Sequence, residues 1–203
     1  MTLRLLYLLT TLALLPAGLA LTWALRRRGR LTGFSLRDLT TLALVICLLY
    51  VAVLPFRGGL AKIPGLDALV YSIPYTVVLL LGLHLVPKPG AATAVIGGQA
   101  LLGQLLGGGP NPAYWPYHLW CALVVECFAL LPGRRWLALA VARGVVSYAY
   151  YYALLGPLFW HKYYAPWFIA LKMGLGAVGC AIGAVLASRL PARVEAAAGN
   201  PLG

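Results

Sequence analysis

Four ionisable side chains interrupt long apolar runs: His84, Glu126, Arg143 and Lys172, with His118 close to the start of another run. A charge inside lipid costs several kcal/mol on most scales, so each must face the bundle interior, water or a partner. At 1.5 Å per residue, Glu126 lies about 9 Å from the nearer end of its run and Arg143 about 12 Å into the next. Such similar depths predict a structural ion pair between Glu126 and Arg143, with direct ligand contact as the competing use. Lys172 sits about 7.5 Å beyond Trp167. It is placed either to snorkel or, with His118 at comparable depth, to donate to an anionic or carbonyl-bearing ligand. His84, beside Lys88, reads as an interfacial histidine.

Aromatic residues gather at one end of these runs. Tyr114, Trp115, Tyr117, His118 and Trp120 lead into one, and Trp160, His161, Lys162, Tyr163, Tyr164 and Trp167 surround the entry to the last. Tyr148, Tyr151 and Tyr152 share a helical face by i, i+3 and i+4 spacing and approach the same end. An interfacial belt accounts for each residue singly. As a set they predict a pocket built from Tyr117, His118, Tyr148, Tyr151, Trp160 and Lys172 with the 55–66 and 157–165 loops, binding a small ligand by stacking and a few polar contacts.

Catalytic and metal-binding patterns are absent from the sequence. It has no His-Glu-x-x-His, no Gly-x-Ser-x-Gly and no paired aspartates, and Ser35, Ser72, Ser147 and Ser188 have no base at a recognisable spacing. Gly107-Gly108-Gly109-Pro110 lacks the Gly-Lys-Ser/Thr of a phosphate loop and reads as a surface turn. Cys47, Cys121, Cys127 and Cys180 fall in apolar stretches with no Cys-x-x-Cys spacing, as small buried side chains do. The expectation is therefore binding without chemistry, with no metal, no cofactor and no haem clamp; the alternative is a small integral-membrane enzyme or a cofactor- or lipid-binding protein. An ATP-driven activity would need a partner to supply the nucleotide site.

The elements that position these residues follow from composition. Of 203 residues, 62% are hydrophobic and 10% charged, which excludes a soluble globular domain, a disordered chain and a disulfide scaffold. Runs long enough to cross about 30 Å of hydrocarbon occur near 3–25, 38–55, 67–86, 91–107, 115–132, 135–156 and 166–189. They predict an all-α membrane protein of about seven transmembrane helices. Pro87-Lys88-Pro89-Gly90 and Pro132-Gly133-Arg134-Arg135 mark two of the boundaries. The first run ends in Arg26-Arg27-Arg28-Gly29-Arg30 rather than a small-residue cleavage site, so a retained helix is expected.

The net charge of +12 arises from sixteen Lys and Arg against four acids, and the basic residues cluster at run ends, where they meet anionic lipid rather than nucleic acid. Placing the 26–37 loop in the cytoplasm puts Arg26, Arg27, Arg28, Arg30, Arg37, Lys88, Arg134, Arg135, Arg189 and Arg193 inside. Arg4, Arg57, Lys62 and Lys162 then lie outside, a ten-to-four bias. The expected location is the inner (plasma) membrane, with the N-terminus outside, the C-terminus cytoplasmic and the aromatic end external.

From Phe34 onward the chain resembles the substrate-binding S component of energy-coupling factor vitamin importers. The resemblance rests on Phe34-Ser35-Leu36-Arg37-Asp38-Leu39 opening a helix, Tyr71-Ser72-Ile73-Pro74-Tyr75, the Gly- and Ala-rich 90–107 run, and Gly109-Pro110-Asn111-Pro112 before the helix bearing Glu126. It implies a six-helix binding bundle over 31–203, preceded by an extra helix and basic loop over 1–30. It further implies a vitamin-like ligand bound from outside and a membrane coupling protein with two cytoplasmic ATPases as partners. Family members contact that protein through Ala-x-x-x-Ala on the first core helix. The nearest equivalent is Ala43-x-x-x-Cys47, where the cysteine departs from the pattern, as the extra N-terminal helix departs from the six-helix plan.

Overall fold

The computed structural model describes residues 2–58, 66–107, 111–127 and 136–198, with side chains except those of 57–58 and 191–198. Arg57, Lys62, Arg134, Arg135 and Arg193, and most of the 55–66 loop, are therefore outside the described side chains. Among the described residues seven α-helical segments run in chain order. They are α1 (Leu3–Arg27), α2 (Leu36–Gly58), α3 (Leu66–Leu85), α4 (Ala91–Leu106), α5 (Trp115–Cys127), α6 (Trp136–Trp160) and α7 (Pro166–Ala198). No strand occurs among the described residues. Helices α1, α2, α3, α6 and α7 are each long and apolar enough to cross a bilayer. The protein is an all-α, multi-pass membrane protein.

Helix α3 is the hub, packing most extensively on α7, and α6 lies against α7 on another side. Glycines permit that approach. A Cβ at Gly183 would fall 2.8 Å from the Ile73 carbonyl oxygen, and one at Gly144 would fall 2.9 Å from Cys180 Sγ. Leu49, Leu79 and Ile96 are sealed inside, whereas Leu12, Leu15 and Leu19 of α1 and Leu44 and Val51 of α2 face outward, as lipid contact requires. Cys121 and Cys180 are buried as expected, but Cys47 and Cys127 are exposed, because a thiol tolerates a lipid-facing surface.

Polar caps set two helix starts at the end bearing the Arg26–Arg30 cluster. Ser35 and Asp38 close a reciprocal capping box on α2, with Ser35 N–H donating to Asp38 Oδ2 at 2.7 Å and Asp38 N–H to Ser35 Oγ at 3.2 Å. Lys88 Nζ reaches the same carboxylate at 2.6 Å and ties the α3–α4 turn to α2. Gly90 enters α4 with φ +93, a conformation that suits glycine.

Helix α6 outruns its expected end at 156. Pro157 has no N–H to return to the helix, and a π turn over Tyr151–Leu155 absorbs the mismatch, with the Gly156 N–H bonded to the Tyr151 carbonyl. The helix then continues to Trp160 and stops at His161, which adopts left-handed backbone at φ 53. The expected 157–165 loop shrinks to 161–165.

Candidate functional site

Two neighbouring cavities lie within the bundle toward its aromatic end. The larger, about 510 Å³, reaches from Asn111 and Tyr114 at the short 3-10 turn (Pro112–Tyr114) down to Tyr75, Gln99 and Arg143. The smaller, about 260 Å³, is bounded by Phe56, Asp67, Ser147, Tyr148 and Tyr152. Tyr71, Tyr117, Arg143 and Tyr151 line both and form the wall between them. Volumes of this order suit a small organic molecule.

Each side chain is positioned by a specific local feature. Asn111 Oδ1 accepts the Ala113 N–H at 3.1 Å and holds the turn that delivers Tyr114. Tyr148 donates its hydroxyl proton to the Ala68 carbonyl at 3.0 Å and lies 3.1 Å from Ser72 Oγ, so the ring is fixed against α3. Tyr151 stacks on Trp160 at 5.6 Å between ring centroids and meets Tyr117 edge-on at 6.3 Å. His118 lies edge-on to Tyr117 at 4.7 Å and also lines the larger cavity. Burial pushes the Tyr114 phenol up to about 12, so it remains a hydrogen-bond donor across the physiological range.

Among the six expected ligand residues, Tyr117, His118 and Tyr151 meet at the larger cavity, and Tyr117, Tyr148 and Tyr151 at the smaller. Trp160 buttresses Tyr151 and Tyr114 from behind. Lys172 is buried, bonded to Asp67, and lines neither cavity.

The expected Glu126–Arg143 ion pair does not form. Glu126 points instead at the start of α4, where it accepts the Gly90 N–H at 3.0 Å, the Thr93 N–H at 2.9 Å and the Thr93 hydroxyl at 3.2 Å. A carboxylate is favoured there because helix N-termini present unsatisfied N–H groups and a positive dipole end. Arg143, similar in depth but turned elsewhere, lies over the Tyr75 ring at 3.7 Å. Depth alone cannot say which way two helices turn their side chains.

Tyr71, Tyr75, Gln99 and Gln104 were not anticipated at the site. A signal existed for two of them, since Gln99 and Gln104 are the chain's only glutamines and both interrupt one apolar run. Asp67 opens α3 and Lys172 lies a turn and a half into α7, a difference that the long lysine side chain bridges. Compared with family models, curated proteins and solved structures, the chain matches none.

Proposed function

We propose that the protein is the substrate-binding subunit of a membrane importer for a small vitamin-like molecule, working with a coupling protein and two cytoplasmic ATPases. The observation that carries this reading is the pair of adjoining cavities inside a lipid-exposed helical bundle, walled by tyrosines and entered near the aromatic end. Stacking surfaces and a few fixed polar groups bind a flat ligand without transforming it. Ligand enters from outside, and the basic end faces the cytoplasm in accord with the distribution of Lys and Arg.

Ala43 and Cys47 lie on the exposed face of α2, where small side chains would let a partner helix approach closely. Ala43→Trp should therefore abolish coupled uptake while leaving binding of the ligand carried by the wild type intact. The test starts with native mass spectrometry of the gently purified chain to identify that ligand. Uptake is then measured in cells with and without the coupling proteins. Chemical conversion of the ligand by the purified chain alone would overturn the reading in favour of a small membrane enzyme. Uptake that ignores the coupling proteins would leave a solitary transporter.

A further inference from the structure

We propose that Arg143 is the anion receptor of the larger cavity, and that the ligand is a small molecule bearing a carboxylate or phosphate beside a flat ring. This deepens the importer reading and rests on it for the ligand's transport, though not for its binding.

Arg143 is only 4% exposed and lines both cavities. A guanidinium stays charged at any accessible pH, so burial inside a membrane protein calls for a compensating anion. The chain has four acids. Asp38 is bonded to Lys88 and Asp67 to Lys172, while Glu126 caps α4. Glu195 lies fifteen residues beyond Cys180 on α7, about 22 Å further along the axis than the residue Arg143 touches. Among the described side chains, no carboxylate is left for Arg143.

What surrounds the guanidinium compensates it only in part. Its Nη1 lies 4.0 Å from Cys180 Sγ, a weak acceptor, and the Tyr75 ring supplies a cation–π contact. Its buried Nε has no hydrogen-bond partner. The buried Nε2 of Gln104, another residue of the larger cavity, has none either. Two unmet donors at one cavity call for a ligand rich in acceptors, and arginine's planar fork matches carboxylate and phosphate oxygens bidentately. Tyr71, Tyr117 and Tyr151, shared by both cavities, give the attached ring its stacking faces.

The test uses the full chain in phosphatidylcholine nanodiscs, titrated with benzoate, phenyl phosphate and the neutral benzamide. Wild type should bind at least one of the two anions tenfold or more tighter than benzamide, and the tighter of the two identifies the oxyanion. Arg143→Gln should erase that preference and Arg143→Lys should keep part of it, with size exclusion and circular dichroism verifying the fold. Gln104→Leu, which leaves the buried charge in place, should weaken the preferred anion several-fold and serves where Arg143→Gln does not fold. Equal affinity for benzoate, phenyl phosphate and benzamide in wild type would overturn the proposal, as would full preference in a folded Arg143→Gln variant. Anion preference without coupled uptake would refute the importer alone, whereas coupled uptake of a neutral ligand with no anion preference would refute the role of Arg143 alone.

Discussion

The Glu126 carboxylate of α5 accepts the backbone N–H of Gly90 at 3.0 Å, so one helix caps the start of another across the bundle. Removing it leaves three donors around Gly90 and Thr93 without their acceptor. Glu126→Ala should cost about 2–3 kcal/mol, with Glu126→Gln recovering part of the loss, as measured by thermal unfolding in detergent. Because Glu126 and Arg143 are not partners, the Glu126→Gln and Arg143→Gln losses should add; a coupling near 1 kcal/mol or more in the double variant would reinstate the ion pair.

Asp67 and Lys172 join the starts of α3 and α7, with the lysine side chain 3% exposed and the aspartate about a quarter exposed. Asp67→Asn strands the buried ammonium and should destabilise by about 3 kcal/mol, the lower end for breaking a buried pair. Adding Lys172→Met should restore most of that stability. A double variant no more stable than Asp67→Asn would show that the pair is not the source of the loss.

Gly183 and Gly174 lie on the same helix with opposite expectations. A side chain at Gly183 runs into the α3 backbone at Ile73 and into Thr76, whereas nothing lies within 4 Å of a Cβ at Gly174. Gly183→Val should cost about 1–3 kcal/mol or more by forcing α3 and α7 apart. Gly174→Ala should be neutral or stabilise by up to about 1 kcal/mol through helix propensity. Equal melting shifts for the two would refute the packing contrast.

Trp160 stacks on Tyr151, and Tyr151 in turn lines both cavities. Tyr151→Ala should weaken binding of the ligand retained by wild type by about 1 kcal/mol or more. Trp160→Ala should act less strongly, through looser placement of the Tyr151 ring. Unchanged affinity in both variants would make these rings part of an interfacial belt.

Much of this architecture is legible in the chain because lipid imposes one simple demand, about twenty apolar residues per crossing. Pro87 to Gly90 stops one helix and starts the next, and Ser35 with Asp38 opens α2, since caps and breakers act over a few residues. The continuation of α6 to Trp160 was hidden because Pro157 reads as a terminator unless a π turn precedes it. Pair geometry was the harder part. Depth along an axis placed Glu126 beside Arg143, but azimuth decides contacts, and azimuth depends on how α3, α6 and α7 pack through their glycines. The aromatic cluster was visible as a group, while Tyr71, Tyr75 and the two glutamines needed the bundle to bring them to it.

Helix α1 touches the remainder of the protein through Tyr7, whose hydroxyl donates to the Ala113 carbonyl, and Thr10, which meets the Tyr150 hydroxyl and the Trp120 indole. Those partners lie 106 to 140 residues downstream. Synthesis proceeds from the N-terminus, so α1 enters the bilayer long before these partners exist, and its leucine-rich exposed surface suits that solitary wait. Its docking belongs to the end of assembly, after α5 and α6 have emerged. A nascent chain arrested before Trp120 would therefore hold an inserted but undocked α1, open to crosslinking with the insertion machinery.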